Sequence, residues 1–475
     1  EFNTEEYNYY AENGFHTTLT DPLSTFAADV DTGSYGNLRR YIEDGYTLYE
    51  IPKGLLRYEE ILNYFDYTVE NVSDGRFSLQ TAAGWCPWNP EHELLQLTVS
   101  ANEVELEDKG SNFVFLMDVS GSMEWDDSII LAAKSLAHLA ATLDENDIVS
   151  IVTYSGSEET LLEGCKGTDI VSIFEAIRQA EANCIMWGGG TNGSGGITAA
   201  YECAEAHFIE GGNNRVLIAS DGDMNLGVTS QAGLVDLIRE KKESGVFLTT
   251  LGFGEGNYSD ANMEQIADCG NGNYFYIDSV DEAIRVLVKK VKQTTVTVAK
   301  DVKLQVEFNP AEVEKYKLIG YENRTMSADD FSDDQKDGGE TGAGSQVTVL
   351  YEIVPAAPMA GARDAEESSL KYQTNRTLGD AAASGEVATL SIRYKEPDGD
   401  TSTLEEYPVL HDASETEEFL FTAALAEACM VINGSADAGT AALSDALALM
   451  SEHIPAGDLD RANCFEMLKV LEAAR

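Results

Sequence analysis

Residues 112–122, NFVFLMDVSGS, form an apolar run that breaks abruptly into one carboxylate and two hydroxyls, Asp118, Ser120 and Ser122. A continuous apolar run ending in polar residues is the pattern of a strand buried on both faces. From Asp126 to Leu143 the apolar positions Ile129, Ala133, Leu136, Leu139, Ala140 and Leu143 recur at the spacing of one helix face. The alternation then continues. Strands are expected at Asp147–Tyr154, Arg215–Ser220, Gly245–Gly252 and Asn273–Ile277, with a short one near Glu159–Glu163. Helices are expected at about Asp169–Ala182, Ile197–Ile209, Ser230–Glu243, Ser259–Asp268 and Val280–Val291. Strands separated by helices of this length pair in parallel through right-handed crossovers, which predicts a doubly wound sheet covered on both faces.

The flanks have a different period. Leu94–Ser100 before this region, and Thr294–Glu307, Gln346–Val354, Glu386–Tyr394 and Thr403–Val409 after it, alternate apolar with polar residues. That is the mark of antiparallel strands with one wet face. KEPDGDT, from Lys395 to Thr401, places an Asp-Gly turn between two of them. Strands on both sides of the central region most economically build one β-sandwich into which that region is inserted. Ser327–Ser345, Pro355–Ser369 and Gln373–Ser384 read as loops. Helices are expected at Phe419–Ile432, Ala441–Ser451 and Leu459–Ala473, the last capped by Asp458. The expected organisation is a linker at 1–20 and an N-terminal strand-contributing region at 21–109. An α/β domain at 110–293, the rest of the sandwich at 294–412 and a helical region at 413–475 follow.

The 475 residues are 43% hydrophobic, a globular composition, but 31 Lys and Arg stand against 83 Asp and Glu for a net charge of −52. A surface that negative repels phosphate backbones and anionic headgroups, which excludes nucleic-acid or membrane-surface binding through basic patches. The apolar runs are far shorter than the 18 or so residues of a membrane helix. Glu1–Tyr10 reads as an acidic linker, and a mature chain from which a targeting segment was removed is expected. The seven cysteines contain no C-x-x-C pair, which argues against a zinc ribbon or dithiol redox site. Cys429 and Cys464 fall on different C-terminal helices and are a candidate disulfide.

In an open α/β sheet, ligands bind beyond the carboxyl ends of the strands, where the strand order reverses. D-x-S-x-S at such an end offers a hard cation three oxygens within five residues, and Gly121 lets the turn approach it closely. Taken alone the pattern is more often a helix N-cap. Two further element ends carry matching oxygens, however: Thr191 within GGGTNGSGG (188–196) and Asp221 within ASDGD (219–223).

Together these motifs resemble the von Willebrand factor type A domain with its metal-ion-dependent adhesion site, over about 110–292. The resemblance implies that Asp118, Ser120 and Ser122 form the first metal-site segment, Thr191 the second and Asp221 the third. It also implies that the metal leaves one coordination position for a carboxylate of a protein partner. In the wider family the last helix, here about Asp281–Lys292, can move with metal engagement. FAADVDTGSY (26–35), WNP (88–90), GYENR (320–324) and RYKEPDGD (393–400) resemble a narrower group of bacterial surface or lipoprotein-type proteins.

The expected function is therefore a non-enzymatic, metal-dependent adhesion module that captures a partner Asp or Glu. Mg²⁺ is the favoured ion, with Ca²⁺ or Mn²⁺ as alternatives, since few protein ligands plus waters suit a small octahedral cation. The expected location is extracellular or at the cell surface, with lipid anchoring through the removed segment as one form of it. The alternative is a structural scaffold or assembly factor whose metal only stabilises the fold. A metal-dependent hydrolase ranks last, because no His accompanies the site motifs. Asp29-Val30-Asp31 and the Asp398, Asp400, Ser402 set lack the rest of a Ca²⁺ loop and read as turn residues.

Overall fold

The computed structural model describes residues 7–474 apart from 29–30, 71, 103–108, 188–189, 223–230, 243, 256–257, 291–292, 294–295, 335, 337, 357–377, 398, 400 and 411–414. Asp29, Val30, Gly188, Gly189, Asp223, Asp398 and Asp400 of the motifs above lie outside the described residues, as do 357–369 and 373–377 of the two expected loops.

The N-terminal region runs through β1 (His16–Thr17), β2 (Leu23–Ala27), α1 (Gly33–Glu43), α2 (Tyr58–Leu62), β3 (Phe77–Trp85) and β4 (Glu93–Ala101). The central region is β5 (Ser111–Asp118), α3 (Leu131–Ala140), β6 (Ile148–Tyr154), β7 (Glu158–Lys166), α4 (Ile170–Trp187), α5 (Gly193–Ala206), β8 (Asn213–Ser220), α6 (Gln231–Lys242), β9 (Phe247–Gly252), α7 (Asp260–Cys269), β10 (Tyr274–Tyr276) and α8 (Val280–Ile284). After it come β11 (Thr297–Phe308), β12 (Val313–Ile319), β13 (Thr325–Met326), α9 (Ala328–Phe331), β14 (Gly339–Gly342), β15 (Gln346–Pro355), β16 (Glu386–Lys395) and β17 (Ser402–Leu410). Three helices end the chain: α10 (Glu417–Asn433), α11 (Leu443–Glu452) and α12 (Leu459–Ala473).

The central sheet has the order β10-β9-β8-β5-β6-β7, parallel throughout except for β7, which runs antiparallel to β6. Both faces are covered, one by a core around Phe113, Phe115 and Leu136, the other by one around Val114, Ile197 and Ile218. The order reverses at β5, so the site predicted from NFVFLMDVSGS lies at the topological switch point.

The flanking strands form two antiparallel sheets, β1-β12-β15-β4-β3 and β13-β2-β11-β16-β17 with β14 beside β11. Their inner faces share one core that includes Phe26, Leu97, Leu304, Val349 and Leu390. The sandwich is therefore built from strands on both sides of the central domain, and β16 and β17, on either side of the expected turn, pair antiparallel from Lys395↔Ser402 onward.

The structure adds to one expectation and overturns two others. The 21–109 region contributes helices as well as strands, because α1 and α2 pack with α10–α12 in a separate core containing Tyr35, Leu38, Phe65, Phe421 and Leu468. Ser327–Ser345 is not all loop, since α9 and β14 lie within it. Asp458 caps α12 as predicted, accepting from Arg461 N–H at 2.9 Å. Cys429 and Cys464 are neighbouring buried free thiols rather than a disulfide, and burial pushes the Cys464 thiol up to about 12. Among the described residues no helix is long and apolar enough to cross a membrane.

Candidate metal centre

Three chain segments are brought to the carboxyl end of β5. Asp118, the last residue of β5, is fully buried. One carboxylate oxygen accepts the Ser120 N–H at 2.9 Å and the other accepts the Ser220 hydroxyl at 2.9 Å. Ser220 in turn accepts the Gly222 N–H at 3.0 Å, a geometry served by the positive φ (80°) of Gly222. Ser220 ends β8 directly before Asp221, so the hydrogen bond from Ser220 to Asp118 ties the first motif segment to the third. The hydroxyls of Ser120 and Ser122 lie 3.0 Å apart.

The second segment arrives through backbone. Val119 N–H donates to the Tyr154 carbonyl at 2.9 Å, and Asn192 N–H donates to the carbonyl of the next residue, Ser155, at 2.5 Å. This hangs the buried Thr191 beside the Asp118–Val119 turn. Asn192 caps α5 by accepting from Gly195 N–H, so the helix begins at Gly193 rather than at Ile197. The glycines have a packing reason: a Cβ on Gly196 would fall 2.7 Å from the Tyr154 ring. Behind the site, the Cys184 thiol of α4 donates to the Ser120 carbonyl at 3.3 Å.

Burial pushes the Asp118 carboxyl up to about 6, against the opposing pull of its hydrogen bonds from Ser120 and Ser220. No lysine, arginine or histidine pairs with it among the described residues. The buried Tyr154 hydroxyl faces Asp118 and Asp221 yet closes no hydrogen bond of ordinary geometry. A buried carboxylate with no basic partner and two adjacent hydroxyls, with the Tyr154 phenol beside them, are a donor set that fits a hydrated divalent ion. Asp118, Ser120, Ser122, Thr191 and Asp221 are thus gathered at one strand-end site. Ser220, Tyr154 and Cys184 were missed; for Ser220 the signal was its place before Asp221 at the predicted strand end.

A second acidic group lies where the central domain meets the flanks. Asp31, Glu60 and Glu264 bring carboxylate oxygens within 4.8 Å of one another. Here guanidinium groups supply the positive charge. Arg57 pairs with Glu60, with Asp260 at 3.1 Å and with Glu264 at 3.1 Å, and Arg324 with Asp31 at 2.8 Å, Glu264 at 3.2 Å and Asp268 at 2.9 Å. Asp31 and Arg324 belong to the FAADVDTGSY and GYENR segments, so those motifs encode an interdomain ion-pair network.

A family model described as von Willebrand factor type A domain matches residues 112–290, another described as von Willebrand factor matches 1–96, and one described as Uncharacterized protein YfbK, C-terminal, matches 293–474. The uncharacterized protein YfbK of Escherichia coli (strain K12) is 38% identical over 442 residues, covering 91% of this chain and 75% of that protein. The chain belongs to the YfbK family. Among solved structures, a von Willebrand factor type A protein from Catenulispora acidiphila is 16% identical, covering 85% of this chain and 91% of that one, with a TM-score of 0.45. The ArnB paralog VWA2 from Sulfolobus acidocaldarius is 18% identical, covering 84% and 93%, with a TM-score of 0.35. The YfbK-family chain thus carries a type A domain, a class of module that mediates protein–protein interaction.

Proposed function

We propose that the protein is a non-enzymatic adhesion module that holds a divalent cation, Mg²⁺ in preference to Ca²⁺ or Mn²⁺, and captures an Asp or Glu carboxylate of a protein partner. The observation that carries this reading is the buried carboxylate of Asp118, which no Lys, Arg or His pairs among the described residues and which Ser120 and Ser220 fix beside the Ser120 and Ser122 hydroxyls. Asp118 and Asp221 would hold charge near the ion, while Ser120, Ser122 and Thr191 would supply neutral oxygens. Two carboxylates formally balance a divalent ion, so a partner carboxylate would be held by the open coordination position of the ion, the one place where a protein of net charge −52 can take an anionic oxygen. The location that goes with this proposal is outside the cell or at its surface.

The test combines melting curves with binding. Mg²⁺ is expected to raise the melting temperature of the native chain, by about 2.7 kcal/mol of added stability at a hundredfold excess over Kd. Asp118→Ala and Ser120→Ala/Ser122→Ala are expected to stay folded, lose that response and lose every EDTA-sensitive interaction. Partner binding undiminished by EDTA would defeat the proposal. A melting shift with no EDTA-sensitive partner would favour the scaffold reading.

A further inference from the structure

The rim of the metal site has a chemistry of its own. Trp125, three residues beyond Ser122, is 68% exposed. Cys184 touches the Ser120 carbonyl, and the next two residues of α4, Ile185 and Met186, are 47% and 67% exposed. Helix α4 packs against both the Gly121–Met123 turn and the Asp126–Ile130 turn, the two segments that flank Trp125. Large side chains left in water beside a candidate binding centre mark an interaction surface more often than isolated ones do.

The rest of the rim is acidic. Glu124 is exposed and acts electrostatically on Cys184. Glu158 is exposed with a carboxylate oxygen over Gly195, four residues past Thr191, and Glu159 accepts from the Asn183 amide at 3.5 Å. The described segments that meet at this strand end, 118–128, 154–160, 183–187, 190–196 and 219–222, contain no lysine or arginine. A bare carboxylate ligand would meet repulsion from Glu124, Glu158 and Glu159 and attraction from the ion alone among the described groups.

We infer that the occupant is a protein segment in which one Asp or Glu lies between an aromatic or aliphatic residue and a Lys or Arg. The carboxylate reaches the ion, the apolar side chain lies on Trp125, Ile185 and Met186, and the basic residue pairs with Glu124 or Glu158. Charge complementarity selects this composition: the cation fixes the position of one negative group, and the acidic rim rejects any other. The inference rests on the metal-dependent capture proposed above.

The test pans a phage-displayed random peptide library on the immobilised full chain in Mg²⁺ and elutes with EDTA. Eluted sequences are expected to combine an acid with a neighbouring apolar and a basic residue. A synthetic peptide of that sequence is expected to bind Trp125→Ser/Met186→Ser on the order of tenfold more weakly, while Mg²⁺ still raises the melting temperature of that variant. Acidic peptides with no apolar or basic bias, or equal binding to the double variant, would overturn this inference and leave carboxylate capture standing. No EDTA-releasable peptide at all, with a Mg²⁺ melting shift intact, would overturn both.

Discussion

Glu59 has Glu60 and Glu322 for electrostatic neighbours, and burial, more than either of them, pushes its carboxyl up to about 8. One oxygen accepts the Tyr321 N–H at 2.9 Å, which opposes the shift without reversing it. A carboxyl raised in the folded state keeps a proton that the unfolded chain releases. Its favourable contribution is therefore present at low pH and lost as pH rises through the window from about 4.5 to 8. Urea denaturation across pH 5–8 should show the native protein losing stability relative to Glu59→Gln, by at most about 1.4 kcal/mol per pH unit. Parallel curves would remove Glu59 from the account. The metal-site residues differ from Glu59 in how far they can be read from sequence. Asp118, Ser120 and Ser122 are visible because their spacing is local to one strand end. The neutral carboxyl of Glu59 and the hydroxyl of Ser220 on Asp118 depend on contacts 262 and 102 residues apart along the chain, which no local pattern encodes.

At the scale of elements, α7 joins the site to the flanks. The Ser259 N–H before it donates to the Asp221 carbonyl at 3.0 Å, and its Asp260 and Glu264 grip Arg57. Replacing Arg57 by Met removes one cation from a buried group of acids, an uncompensated-charge loss of about 3–5 kcal/mol. A urea midpoint within error of the native one would show that the pairing is dispensable. The central strands and helices were legible because two-sided burial writes continuous apolar runs and amphipathic faces into the chain. Helix α1 was not, since it opens on Gly33-Ser34-Tyr35-Gly36, a poor helix former. The structure supplies the reason: a Cβ on Gly33 would fall 2.4 Å from the Tyr274 ring, and one on Gly36 3.0 Å from the Tyr276 carbonyl. Close packing against β10, not propensity, decides that segment. The same override moved the start of α5 from the expected Ile197 to Gly193, where a Cβ on Gly196 would fall 2.7 Å from the Tyr154 ring.

For the molecule as a whole, a charge of −52 is a self-repulsion that ions screen. Sodium chloride from about 10 to 150 mM, which shortens the screening length from about 30 to 8 Å, is expected to raise the melting temperature of the metal-free protein; a flat or falling curve would mean that the folded state relieves rather than concentrates the charge. The sandwich adds a constraint of timing. β4 ends at Ala101, yet its partner β15 begins only at Gln346, with the whole central domain between them. At the usual pace of roughly 5–20 residues per second, a ribosome needs on the order of ten to fifty seconds to make that stretch. Throughout that interval the β3–β4 hairpin has an open edge and an uncovered apolar face, while the type A domain can already close on itself. Newly made chains are therefore most exposed to aggregation and proteolysis at their N-terminal third, and chains cut short before β15 keep a finished central domain beside a half-built sheet.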